Sequence, residues 1–120
     1  MAASILIVED SSLVTDAFMV LFGEAGYVVH SAHTVAEAIE LGKENQIDLI
    51  LLDLTLPDGS GLDVLGALRQ SGQLPRATLA MTGHTASGVR ERCLAAGCAD
   101  VLTKPVPIRD LLRKIERLLG

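Results

Sequence analysis

The sequence predicts an α/β domain built on a parallel sheet, with helices packed on both of its faces. Three observations carry that expectation. Short apolar runs recur along the chain and stop at polar or turn-forming residues, as strands buried on both faces do. The segments between them carry apolar residues at helical spacing. Strand and helix alternate five times through connections of only a few residues. The 120 residues suit a single domain over 1–120, long enough to bury a core without staples. With 49% hydrophobic but only 2% aromatic residues, that core must be aliphatic.

Residues 4–8 form the first strand. Ser11 or Ser12 caps a helix running to about residue 25, in which Leu13, Ala17 and Leu21, and likewise Val14, Phe18 and Phe22, recur at helical spacing. Gly26 stops that helix. The second strand covers 27–32. Thr34 caps the second helix, and Glu37 completes a capping-box pattern ahead of Ala38, Ile39 and Gly42. The third strand covers 47–53; its unbroken aliphatic run, Leu49 to Leu52, closes on Asp53, and Pro57-Asp58-Gly59 then makes a turn. The third helix runs from Gly61 to about residue 71, with Leu62, Leu65 and Leu68 on one face. The fourth strand covers 77–82. A small polar loop, 83–88, leads into a fourth helix at about 87–96, which Gly97 ends. The fifth strand covers 99–103. The fifth helix, 108–119, turns Leu111, Leu112, Ile115, Leu118 and Leu119 inward.

Right-handed crossovers between these strands give the order 2-1-3-4-5, the flavodoxin-like doubly wound arrangement, a (βα)5 three-layer sandwich. Such sheets hold ligands outside the carboxyl ends of the strands, at the switch point, which falls here between strands one and three. Glu9 and Asp10 end the first strand and Asp53 ends the third. Thr82 ends the fourth, and Lys104 follows the fifth.

Three carboxylates brought this close raise one another's pKa unless a cation intervenes. Mg2+ prefers oxygen ligands and takes one or two carboxylates together with waters and phosphate oxygens, which makes Glu9, Asp10 and Asp53 candidate ligands. Adjacent acids at a strand end can also serve only to cap or solubilise it; Asp53, delivered to the same edge by a buried strand, favours the metal. Lys104 is placed to anchor an anion or to pair with Asp53, and such a pair can part when an anion arrives. Pro105 after it admits a cis bond. The Thr82 hydroxyl is able to donate to a phosphoryl oxygen. A carboxylate nucleophile, a divalent cation and an ammonium together suit phosphoryl transfer.

The net charge is −5, but the first sixty residues carry ten acids against one base, Lys43, and the last sixty carry nine bases against five acids. An acidic chain is a poor nucleic-acid binder on its own. No apolar run spans a bilayer, and the N-terminus lacks a signal-peptide pattern. Cys93 and Cys98 read as reduced thiols, the expectation for a cytoplasmic protein. Arg109, Arg113 and Arg117, spaced four apart, form either a partner surface or only a solvated face.

Ile7-Val8-Glu9-Asp10, the run from Leu51 through Asp53 to Gly59, Met81-Thr82, Ala95-Ala96-Gly97 and Leu102-Thr103-Lys104-Pro105 occur in an order and spacing that resemble one family over the whole chain. That family is the receiver domain of two-component response regulators, the CheY-like family. The resemblance implies that Asp53 accepts a phosphoryl group from a sensor histidine kinase or a histidine phosphotransfer protein. It implies that Glu9, Asp10, Asp53 and the backbone carbonyl of Thr55 hold Mg2+ or Mn2+, that Lys104 contacts the phosphoryl group, and that Thr82 closes over it. The fourth helix, fifth strand and fifth helix would then change to control an effector protein. The protein would catalyse its own phosphorylation and dephosphorylation, without nucleic-acid or membrane contact, as a monomer or weak homodimer.

In the family, the residues two past the aspartate and two past the threonine flank the path of the hydrolytic water. Here these are Thr55 and His84, and His84 either tunes dephosphorylation or is a solvated loop histidine. Three positions depart from the usual pattern: Val101 replaces a switch aromatic, Gly83 an alanine and Val106 a phenylalanine. They leave the chemistry intact and bear on how a signal leaves the site. Three other readings compete. A haloacid-dehalogenase-like phosphatase also uses an aspartate nucleophile, but after its first strand and with a late acid pair that this chain lacks. A flavodoxin-like cofactor binder cradles a phosphate in its first loop, where Glu9 and Asp10 would repel it. A receiver-like protein–protein module that is never phosphorylated has no use for the intact acid set.

Overall fold

The computed structural model describes residues 2–83 and 88–120. Its elements run β1 (Ser4–Val8), α1 (Ser12–Glu24), β2 (Val28–Ala32), α2 (Val35–Glu44), β3 (Leu49–Asp53), β4 (Thr55–Leu56), β5 (Gly59–Ser60), α3 (Gly61–Gln70), β6 (Ala77–Thr82), α4 (Val89–Ala95), β7 (Asp100–Thr103) and α5 (Ile108–Leu119). The main sheet is parallel throughout, in the order β2-β1-β3-β6-β7. Counting only its five strands, this is the 2-1-3-4-5 order expected. The short strands β4 and β5 pair antiparallel as a separate hairpin, Thr55 with Ser60 and Leu56 with Gly59.

Alternation along the strands divides the aliphatic residues between two cores. Leu6, Val8, Ile50, Leu52 and Ala80 meet α2, α3 and α4 on one face, through Ala38, Val64, Leu65, Leu68 and Cys93. Ile5, Ile7, Leu49, Leu51, Leu79 and Met81 meet α1 and α5 on the other, through Phe22, Leu111 and Ile115. Each leucine or isoleucine buried this completely contributes about 1.5–3 kcal/mol. The paired cores hold the sheet rigid, and its carboxyl edge inherits that rigidity.

Helix α1 presents only one of its two apolar rows to the sheet. Phe22 is buried and stacks on Phe18 with ring centroids 5.4 Å apart, whereas Leu13 is 84% exposed and Ala17 and Leu21 also face solvent. Ser11 is the N-cap, its hydroxyl accepting the Val14 N–H. Strand β2 begins one residue later than the expected 27 because the Tyr27 N–H turns back to the Phe22 carbonyl and finishes the helix. Strand β3 begins at Leu49 rather than 47, and β7 at Asp100 rather than 99. Thr34 caps α2 by accepting the Glu37 N–H, but the Glu37 carboxylate takes the His33 N–H, so the box closes one residue early. The expected start of α4 at Ser87 lies outside the described residues. Among the described residues, no helix is long and apolar enough to cross a membrane.

Candidate functional site

The register delivers the site. Val8 pairs with Leu52, and Asp53 with Met81, so β1, β3 and β6 finish level with one another. Each strand therefore leaves its next residues at the same edge. Carboxylate oxygens of Glu9, Asp10 and Asp53 all lie within 4.8 Å of one another. Glu9 and Asp53 are buried, while Asp10 is exposed. From β7 comes Lys104, whose backbone N–H bonds the Thr82 carbonyl at 2.8 Å and whose peptide bond to Pro105 is cis. Its Nζ donates to Asp53 Oδ2 at 2.7 Å and to Glu9 Oε2 at 3.0 Å. One ammonium thus serves two carboxylates.

The other carboxylate oxygens are held by backbone. Asp53 Oδ1 accepts the Thr55 N–H at 3.1 Å, and Glu9 Oε1 accepts the Ser11 N–H at 3.3 Å. Burial pushes the Glu9 carboxyl above its ordinary range; the Lys104 bond pulls it back, and nearby Asp53 adds to the rise. Burial works against charge on Lys104, but its bonds to Asp53 and Glu9 outweigh that and hold the ammonium above its ordinary value. Three oxygen donors with one ammonium among them fit a hard divalent cation, which would supply the charge the cluster lacks.

Thr55 and Thr82, also expected from the sequence, lie at this edge with the acids and Lys104. Thr55 follows Asp53 by two residues, and Thr82 is buried at the end of β6. Both line a cleft of about 330 Å³ shared with Cys93 at the start of the α4 face. His84 lies outside the described residues. Close packing fixes the Asp53 backbone: a Cβ on Gly61 would collide with the Asp53 carbonyl oxygen. The Gly61 N–H also bonds the Leu54 carbonyl, and the Leu54 N–H bonds that of Met81.

Sequence reasoning missed several supporting residues. Lys104 reaches Glu9 as well as Asp53, a contact between residues 95 apart in sequence that no local pattern signals. Ser60 and Asp63 form a reciprocal capping box at α3, which the spacing Ser-x-x-Asp does signal. Asp58, read only as a turn residue, sends its carboxylate to α2.

A doubly wound sheet that gathers an acid pair, a strand-end aspartate and a lysine at its switch point defines a class of protein, and comparison with known proteins gives the same one. A family model described as response regulator receiver domain matches residues 5–116. The polar-differentiation response regulators DivK of Brucella ovis and Brucella anthropi are each 33% identical to this chain over 121 residues, covering 100% of it and 98% of their own length. The chemotaxis protein CheY4 of Vibrio cholerae superposes with a TM-score of 0.92 at 27% identity, over 99% of this chain and 100% of that one. A CheY-like receiver domain from Methanospirillum hungatei gives 0.90 at 30% identity, over 99% and 94%. The chain belongs to the response regulator receiver domain family, whose members work in two-component signalling.

Proposed function

We propose that Asp53 is the phosphoacceptor, and that the donor is a phosphohistidine on a sensor histidine kinase or a histidine phosphotransfer protein. The observation that carries this reading is the position of the Asp53 carboxylate. It lies at the end of a fully buried strand, 2.7 Å from Lys104 and beside the Glu9–Asp10 pair. An Asp53 oxygen forms a bond to phosphorus while the phosphorus–nitrogen bond to the donor imidazole breaks in line. A proton on the other ring nitrogen lets the imidazole leave neutral. Lys104 exchanges its bond to Asp53 for one to a phosphoryl oxygen, and Thr82 donates to another.

Glu9, Asp10, Asp53 and the Thr55 carbonyl would hold Mg2+ or Mn2+, which offsets the negative charge of the carboxylates and of the transferring phosphoryl group. Asp10, exposed, is suited to direct coordination, and buried Glu9 to contact through water. The modified domain would act on an effector protein through α4, β7 and α5.

Intact mass after incubation with acetyl phosphate and Mg2+ tests the proposal. The parent should gain one phosphoryl group. Asp53→Asn should gain none, because an amide is a poor nucleophile. Equal labelling of the variant would overturn the assignment, and an unlabelled parent would favour a module that is never phosphorylated.

A further inference from the structure

Asp58 sits at the tip of the β4–β5 hairpin, away from the three acids at the site. Its carboxylate spans to the first turn of α2, where one oxygen accepts the Val35 N–H at 2.7 Å and the other the Ala36 N–H at 3.1 Å. Those donors, the Val35 N–H foremost, hold its carboxyl below the ordinary range. Gly59 beside it lies close to Val35: a Cβ added there would come within 3.6 Å of a Val35 methyl carbon. Leu56, in the same hairpin, is buried in the core that contains Val35. The hairpin is therefore fastened to α2 by two hydrogen bonds to a carboxylate, beside a core that Leu56 and Val35 share.

The fastening closes a circuit around the acidic site. Glu9 donates its N–H to the carbonyl of Ala32, the last residue of β2, at 3.0 Å. Three residues later the chain enters α2, whose first turn binds Asp58. The hairpin carries the connection back to Thr55, whose N–H holds Asp53 Oδ1 at 3.1 Å. Lys104 spans the remaining gap between Asp53 and Glu9. The acids at this edge repel one another, and a hairpin free to move would let Asp53 turn away from Glu9 and Asp10.

We propose that Asp58 is a positioning residue: by latching the hairpin to α2 it holds the Asp53 carboxylate at the spacing from Glu9 and Asp10 that a divalent cation requires. This rests on the reading of those acids as a cation site. Removing a group that orients a metal ligand costs about 10–100-fold in affinity, and Asp58 acts through two further links, so Asp58→Ala should weaken Mg2+ binding by about tenfold. Asp58→Asn keeps one oxygen acceptor of roughly half the strength and should lose only about threefold.

Isothermal titration of Mg2+ into the full chain provides the main measurement. The Mg2+ dependence of labelling by acetyl phosphate provides a second. In Asp58→Ala the half-saturating Mg2+ concentration should rise by the same factor, while the rate at saturating Mg2+ stays within about twofold of the parent. Thr34→Ala is the control, because it removes the other cap of α2 without touching the hairpin. It should lower the urea midpoint about as much as Asp58→Ala and leave Mg2+ affinity unchanged. Unchanged affinity in Asp58→Ala overturns the proposal alone, as does an equal loss in Thr34→Ala or a rate defect that saturating Mg2+ does not restore. A parent that binds no Mg2+ overturns the cation site and this proposal with it.

Discussion

Two ionic clusters in this molecule use the same groups in opposite proportion. At the switch point one ammonium, Lys104, is shared by two buried carboxylates, Glu9 and Asp53, with Asp10 beside them. At the start of the edge strand one carboxylate, Asp100 on β7, is shared by two cations, Arg90 of α4 at 3.0 Å and Lys114 of α5 at 2.7 Å. The carboxyl groups respond in opposite directions. Burial raises Glu9, whereas the Lys114 bond, opposed by some burial and aided by the Val101 N–H and Arg90, lowers Asp100. The first cluster is short of positive charge and suited to receive a cation; the second is satisfied and suited to hold α4 and α5 in place.

Removing Lys104 should have the largest effect on that contrast. Breaking a fully buried ion pair costs about 3–5 kcal/mol, but the Lys104 side chain is 34% exposed, so Lys104→Met should destabilise the metal-free protein by about 2 kcal/mol. Because its acids are then wholly uncompensated, the variant should gain more stability from Mg2+ than the parent does. Urea unfolding with and without Mg2+ measures both. A loss below about 0.5 kcal/mol would mean that water already neutralises the acids, and the contrast between the clusters would fail.

Asp100→Asn should have a smaller effect. Exposed ion pairs contribute about 0.2–1 kcal/mol each, and Arg90 is 60% exposed, so the loss should be about 1 kcal/mol with no change in Mg2+ affinity. The pH dependence follows from the lowered carboxyl. Its contribution is fully present above the ordinary value of 3.8 and is lost as pH falls through the lower folded value. The urea midpoints of parent and variant should therefore converge below pH 3.8. A difference that persists in acid would assign the effect to packing instead of charge.

The parts of this fold legible in the sequence were those with local signals. β6 and α5 fall where apolar runs meet polar or proline stops, and the end of β3 at Asp53 was marked in the same way. Site residues were legible because strand ends in a doubly wound sheet converge whatever the loops do. Spacing alone did not choose between the Leu13 and Phe22 rows of α1, since both recur at helical intervals and only one can face the sheet. The β4–β5 hairpin has two-residue strands, too short for any period. Asp58 and Lys104 bind partners 23 and 95 residues away, and such pairings depend on the assembled fold. The excess of late bases in the sequence does not tell which are paired: Arg90 and Lys114 are engaged by Asp100 and Arg69 by the Ala96 carbonyl. Arg109, Arg113 and Arg117 remain exposed.

The smallest expected effect concerns how the proposed phosphorylation of Asp53 would reach the Asp100 cluster. Val101 is half-buried against the α2–α4 core, and a β-branched side chain has few χ1 states, so no ring is present to rotate into vacated space. A shift of state then requires contacts that differ between the two forms. The two arms of the cluster are not equally firm. Arg90 lies on the first turn of α4, a seven-residue helix that Gly88 begins with φ +87 and no side-chain cap bond. Lys114 lies on α5, anchored by Leu111 and Ile115, both fully buried. Were Asp53 to take up a phosphoryl group as proposed, Thr82 would move toward it, and the exposed Arg90 arm is the cheaper one to release. Hydrogen exchange with Mg2+ and beryllofluoride, a phosphoryl mimic, should therefore change protection over residues 88–92 and leave the α5 amides between Leu111 and Ile115 unchanged. Large changes centred on β7 around Val101 would show instead that this strand carries the signal without an aromatic ring.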